Sequence, residues 1–229
     1  MDKRLQRLGI GLVLMGFVFF AAGGYTLYKT QQGADALQTF SAAQNVKLNY
    51  NEEGQLVDRG EVEGAQAIMS LLVNDWGFAV DNGELNPNDP LVNTASEYMY
   101  QMATISYHTL HGTTTVVIPE DVTAADGTVT KAGEYEFATD GRYWTGFNRA
   151  NPIEAAAREK VWTGTAHALI ANLGVGTVTG SALLLGLGLA GLFAGVGFIT
   201  LLSGFGLMWA TRAQEARVPA IGQLQPFPV

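Results

Sequence analysis

The chain has 229 residues, no cysteine, a formal net charge of −8 and a mean hydropathy of +0.13. That balance is too apolar for an ordinary soluble protein and too charged for a polytopic one, and it fits a small domain with one or two membrane spans. The missing cysteine excludes disulfides, cysteine-bound zinc, iron–sulfur clusters and thiol catalysis together.

Residues 1–7 carry Lys3, Arg4 and Arg7 ahead of an uncharged run, 8–28, that is long enough for a transmembrane helix. Ala21-Ala22-Gly23 has the form of a signal-peptide cleavage site, but the run continues past it to full span length, which favours a retained anchor. Between Thr30 and Ala43, Leu37 and Phe40 are spaced for one face of a separate short helix. Val46 to Asp58 reads as two short strands about a turn. Glu61 to Trp76, with Ala65, Ile68, Leu71 and Leu72 at helical spacing, reads as a helix closed by Gly77.

Asp89-Pro90 has the form of an N-cap followed by proline at the first helical position, which predicts a helix from there to Gly112. Residues 113–146 alternate with β-branched and aromatic side chains, and Asp126-Gly127 and Asp140-Gly141 fall at turns; a small antiparallel hairpin or three-stranded unit is expected. Asn151-Pro152-Ile153-Glu154 supplies an N-cap, a proline at N1 and a glutamate at N3 to close a capping box, predicting a helix over 152–173 that leads back to the membrane. No Asp, Glu, Lys or Arg interrupts Val161 to Thr211. One helix over that run would reach roughly 75 Å, beyond any bilayer, so a break is expected at Gly174, Gly176 or Gly180, with the second span at 181–210. Trp209 fits an interfacial aromatic, and Arg212 lies in a cytoplasmic tail, 211–229, expected to be irregular after Arg217.

Charge orients this layout. Between Lys29 and Gly180 there are 19 Asp/Glu against 8 Lys/Arg, a balance of −11, whereas the two ends hold 2 against 5, a balance of +3. Basic flanks stay on the cytoplasmic side, so both termini are expected there, with the α+β domain of residues 29–180 outside. An acidic outer domain also argues against a nucleic-acid partner, whose phosphates it would repel.

The chemistry-bearing residues are few. His108 and His111 stand three apart on one helix, a spacing metal sites use, with Glu97 as a conceivable carboxylate; without a third convergent ligand, a helix-end role beside the negative dipole terminus accounts for them better. His167 lies on an uncharged helix, where a structural hydrogen bond is expected. Glu52-Glu53 and Glu120-Asp121 fall in turns, where solvated charge is the ordinary reading. Arg142, Tyr143 and Trp144 are of the types enriched at interface hot spots, so they are either a docking surface or a turn followed by an aromatic core strand. No phosphate loop, dinucleotide fingerprint, zinc-protease helix or nucleophile elbow occurs, and no cofactor or catalytic residue is expected.

The glycines carry a stronger pattern. Gly9, Gly16 and Gly23 recur every seven residues along the first span, near one face of it. On the second, Gly186, Ala190 and Ala194 form a small-residue row, with Gly191 and Gly195 as a GxxxG pair beside it. Both spans are built for close helix packing, either with each other or with a helix of another subunit.

The layout, with DPLVNTASEYMY (89–100), DGRYWTGF (140–147), NPIEAAARE (151–159) and WTGTAHAL (162–169), resembles a group of actinobacterial membrane proteins that often carry the name "aromatic ring-opening dioxygenase, LigA-like". The resemblance implies a two-span membrane protein of a Gram-positive bacterium. It implies no active site, because extradiol ring opening needs a histidine-rich non-haem iron centre and the chain offers only His108 and His111. The expected function is therefore non-enzymatic: an accessory or scaffolding subunit of a plasma-membrane complex, respiratory or transport, with membrane lipid and other integral subunits or a second copy as partners. The alternative is an extracytoplasmic ligand-binding or sensing module, which a closed apolar pocket lined by the Met99/Met102 helix and the β-unit would favour.

Overall fold

The structure, a computed structural model, describes residues 2–215. The irregular tail expected after Arg217 lies outside the described residues. In chain order the elements are α1 (Asp2–Gln44), α2 (Val62–Ser70) prolonged by a π turn (Leu71–Asp75), α3 (Ala95–Leu110), β1 (Thr113–Ile118), β2 (Val122–Thr123), β3 (Val129–Thr130), β4 (Gly133–Ala138), α4 (Pro152–Val161) and α5 (Gly164–Glu215). The chain divides into two compact units, Met1–Ala36 with Ala182–Val229, and Leu37–Ser181.

In the first unit, α1 and α5 are long and apolar enough to cross a membrane. Only 17% of the apolar window of α1 and 11% of that of α5 is buried within the chain, whereas the core helix of a soluble domain is mostly buried. Val18, Leu185 and Ile199 are each about two-thirds exposed. The two helices run antiparallel on a seam of small residues. A Cβ on Gly9 would stand 2.9 Å from the Gly204 carbonyl, one on Gly16 would stand 3.0 Å from the Gly197 carbonyl, and one on Gly23 would stand 3.1 Å from the Ala190 carbonyl. Phe19 and Phe193 stack across the same seam with centroids 6.3 Å apart. The separate short helix expected after the first span is absent: α1 continues unbroken to Gln44.

The second unit has two cores. One gathers Leu48, Ala65, Ile68, Leu72, Val92, Tyr98, Ala103 and Leu173; the other gathers Leu110, Val116, Ile118, Phe147, Ala157 and Trp162. In place of two strands over 46–58, single bridges form: Lys47 with Leu91, Tyr50 with Leu56, and Asp58 with Glu61. The Lys47–Leu91 bridge explains why no helix starts at Asp89-Pro90. The Pro90 carbonyl accepts from Leu48 N, and Val92 N donates to the Val46 carbonyl, so this stretch serves as an extended partner instead. The helix begins at Ala95, behind Thr94, in a complete capping box with Glu97.

α2 agrees with the expected helix but ends in a π turn, with Trp76 N donating to the Leu71 carbonyl and Gly77 at φ +66°. The β region is antiparallel, as expected, and forms two two-stranded ladders in place of a single hairpin or a three-stranded unit. β1 pairs with β4 from Thr113↔Ala138 to Ile118↔Gly133, and β2 with β3 at its far end, where Gly127 turns at φ +85°. Thr139, fully buried, donates to the Leu110 carbonyl and ties the end of β4 to the end of α3.

Asn151 caps α4 through the amides of Ile153 and Glu154, as its position implies. The capping box there does not close, because the Glu154 carboxylate accepts from Asn148 N instead. The helix expected over 152–173 stops at Val161. Buried Trp162, whose indole donates to the Arg142 carbonyl, makes the corner, and Thr163 caps α5 through Ala166 N. The break therefore falls at Trp162-Thr163, and α5 runs through Gly174, Gly176 and Gly180 without interruption.

Candidate functional site

Those three glycines do a different job from the one their composition suggests. A Cβ on Gly176 would lie 2.5 Å from the Tyr98 ring, and one on Gly180 would lie 3.0 Å from Ala95 N. Their lack of a side chain lets α3 lie directly on α5. Met102 and Met99 follow the same face, Met102 Sδ 3.8 Å from where a Gly174 Cβ would be and Met99 Sδ 3.9 Å from Thr177 Oγ1. Tyr98 is held at its far end as well, where its hydroxyl and Ser41 Oγ share a buried hydrogen bond of 2.7 Å. Ser41 in turn lies 2.9 Å from the Leu37 carbonyl, so α1, α3 and α5 meet around one tyrosine.

Beside this junction a groove of about 390 Å³ opens between the three helices. α1 contributes Leu37, Phe40, Ser41 and Gln44; α3 contributes Tyr98, Gln101 and Ile105; α5 contributes residues from Leu169 to Thr179, Asn172 among them; Val46 and Val92 complete it. No lining residue is charged. The amides of Gln44, Gln101 and Asn172 stand among aliphatic side chains, the arrangement of small-molecule sites in which a few polar groups orient a largely apolar ligand. The groove is not the closed pocket between the Met99/Met102 helix and the β-unit that would favour a ligand-binding module: it is open, no β-unit residue lines it, and its third wall is α5.

The other singled-out residues lie elsewhere. His108 Nε2 is 2.9 Å from Asp58 Oδ1, and His111 Nδ1 is 3.0 Å from the Tyr107 carbonyl. Glu97, 1% exposed, accepts from Asn93 N, Thr94 N and Thr94 Oγ1. Burial raises its pKa, those hydrogen bonds partly offset the rise, and the charge of Asp89 adds to it. Each conceivable ligand is thus engaged apart from the others, and among the described residues no three His, Asp or Glu come together to hold a metal. The iron centre that a ring-opening dioxygenase needs does not fit these residues.

Near the His108–Asp58 pair the hydroxyls of Tyr50 and Tyr100 are buried without a hydrogen-bond partner. Burial raises the pKa of both, with Glu97 adding to the effect at Tyr50 and Asp58 at Tyr100. Arg142, Tyr143 and Trp144 follow β4 and belong to no strand. The Arg142 guanidinium lies over Phe137, Tyr143 accepts from the Trp76 indole and stacks on Trp162, and Trp144 sits between the Arg158 guanidinium and the edge of His167. His167 also lies 3.1 Å from the Thr163 carbonyl.

The glycine rows separate into two groups. Gly9, Gly16, Gly23, Ala190 and Ala194 lie in the α1–α5 seam, and Gly186 stands against Thr30. Gly191 and Gly195 have no atom within 4 Å of where a Cβ would be. The sequence marks Tyr98 only as part of the apolar side of its helix and marks Ser41, Gln101 and Asn172 not at all, since nothing in the spacing of isolated residues brings three distant helices together. No family model, curated protein or solved structure matches the chain.

Proposed function

We propose that this protein is a membrane-anchored binding module of a bacterial plasma membrane. Two transmembrane helices hold the α+β domain outside the cytoplasm, with both termini inside, and the domain's groove takes an apolar, uncharged molecule. The topology is supported by the basic flanks and the acidic middle of the chain. The observation that carries the binding role is the uncharged groove of about 390 Å³ beside the Ser41–Tyr98 pair, within the size range of small-molecule sites. No enzymatic step is assigned: the Ser41 and Tyr98 hydroxyls in the lining are engaged with each other, and no His, Asp, Glu, Lys or Arg lines the groove to act on them.

The test is extraction and mass spectrometry of small molecules from the purified full-length protein, compared with Val175→Trp, which fills the groove from its exposed wall. A species retained by the wild type and depleted from the variant is the expected result. Identical extracts would sink the reading.

A second reading has its own observation. The open Gly191/Gly195 face favours an accessory subunit that packs against another integral subunit or a second copy. Exchange of both glycines for leucine would then release the partner while leaving insertion intact, as native sizing in mild detergent would register.

A further inference from the structure

We infer that the groove's occupant is a membrane lipid with an uncharged head, one acyl chain lying along the groove and a head-group carbonyl or hydroxyl meeting its amides. The inference rests on the binding-module reading and names the ligand class for that same site.

Three observations converge on it. The first is charge. The segment from Lys29 to Gly180 carries a balance of −11, yet no Asp, Glu, Lys, Arg or His lines the groove. An anionic head would enter a negative field with no cation to receive it, and a cationic head would find no carboxylate. The amides of Gln101 and Asn172 can donate to an ester carbonyl and accept from a hydroxyl, so an uncharged head leaves neither side unpaired.

The second is provenance. Two of the three walls belong to the helices that are long and apolar enough to cross a membrane. Leu37 stands nine residues beyond Tyr28 on α1, roughly 13 Å of helix, and Thr179 immediately precedes the uncharged Gly180–Ala210 stretch of α5. Along α1 from Leu8 to Gln44 only Lys29 and Asp35 are charged, and along α5 no Asp, Glu, Lys or Arg stands between Gly164 and Thr211, the composition of helices that an amphiphile can follow. The third is fit. A volume of about 390 Å³ lies at the low end for small-molecule sites, which suits one chain and not two. Phe40, Leu169 and Val175 at its mouth are 47%, 45% and 64% exposed, apolar surface that a hydrocarbon chain would cover.

The experiment places the full-length protein in phosphatidylcholine nanodiscs with one of three photoactivatable probes: a diacylglycerol with a diazirine in one chain, the matching phosphatidylglycerol, or adamantyl diazirine, a compact hydrocarbon. Labelling of the peptides that carry Leu37–Gln44 and Leu169–Thr179 is quantified by mass spectrometry. The expected result is groove labelling by the diacylglycerol probe that falls about tenfold in Val175→Trp. It persists in Val178→Trp, a site 68% exposed and outside the groove lining, which controls for folding. Phosphatidylglycerol labelling as strong as this overturns the uncharged head. Labelling by the adamantyl probe alone, lost in Val175→Trp, overturns the lipid class while the binding-module reading stands. Labelling by none of the three, or labelling indifferent to Val175→Trp, overturns both.

Discussion

α5 makes two glycine seams, and they differ in what the glycines meet. Along its later half Gly197 and Gly204 face the backbone of α1, where Gly16 and Gly9 also lack side chains, so backbone lies against backbone. Along its earlier half Gly176 faces an aromatic ring, and Gly180 faces the first turn of α3. Helices in lipid gain nothing from apolar burial against each other, and only close approach supplies attraction. In the domain, burial of Tyr98, Ala103 and Leu173 already holds α3 in place, and glycine there only makes room. The groove adjoins this second seam, with Tyr98 and Gly176 both in its lining.

The sharpest way to break this contrast is to put side chains into the first seam. Gly204→Leu would drive its Cβ to 2.7 Å from the Gly9 carbonyl and 2.8 Å from Val13 N, backbone atoms that cannot turn aside. The α1–α5 pairing should be lost. Because the chain has no cysteine, a Phe19→Cys/Phe193→Cys pair reports it directly: oxidative cross-linking in membranes should proceed in the parent and fail with Gly204→Leu. Gly191→Leu, with open space at its Cβ, should leave cross-linking unchanged. Equal yields in both variants would mean that the small-residue seam does not hold the helices together.

In the second seam the effect should be smaller and graded. Gly176→Ala presses a methyl group into a ring held by burial and by Ser41, an overpacking expected to cost about 1–3 kcal/mol. Gly174→Ala meets only a flexible methionine sulfur at 3.8 Å, and the gain in helix propensity should stabilise by up to ~1 kcal/mol. Thermal unfolding of the full chain in detergent should separate the two in opposite directions. If Gly176→Ala is also stabilising, the glycine is not required for the α3–α5 contact.

How much of this was legible in the sequence follows from where the deciding information sits. The two apolar helices, the helix at α2 closed by Gly77 though not its π turn, the Asn151 cap and the heptad of glycines on α1 are local or periodic, and a one-dimensional pattern carries them. The start of α3 is misplaced by the sequence reading, which puts it at Asp89-Pro90, whereas the helix begins behind Thr94. Only the pairing of Pro90 with Leu48 and of Val92 with Val46, 42 and 46 residues away, decides between them. The same holds for α5. Gly174, Gly176 and Gly180 read as a break because glycine weakens a helix; the packing partners that make them compatible with one lie on α3. The groove was illegible altogether, since its lining comes from three helices and no motif marks it.

The hydroxyls of the domain core allow a finer test. Tyr98→Phe removes a buried hydrogen bond and leaves Ser41 Oγ with only its own helix carbonyl, for a cost of about 1 kcal/mol. Tyr100→Phe, on the same helix, removes a hydroxyl that has no partner and is buried, and should be neutral or stabilising by up to ~1 kcal/mol. Denaturant midpoints of the two variants should fall on opposite sides of the wild type. Equal losses would show that Tyr100 has a hydrogen-bond partner in solution.

The smallest expected effect is electrostatic, and its sign is informative. Glu97 closes the capping box that starts α3, and burial raises its pKa above the ordinary value of 4.5 despite three hydrogen bonds that favour the ionised form. The folded chain therefore holds this proton more tightly than the unfolded chain does. The stability it confers is full below the ordinary value and is lost as pH rises through the raised one. Glu97→Gln keeps a carbonyl oxygen to accept from Asn93 and Thr94 but does not titrate. Lowering the pH from about 7.5 to about 5 should then raise the unfolding midpoint of the wild type relative to Glu97→Gln, the other carboxylates cancelling in the difference. A difference that is flat, or that grows in the opposite direction, would mean that the capping hydrogen bonds outweigh burial. The α3 terminus that carries Tyr98 against Gly176 would then be anchored by charge, not held in spite of it.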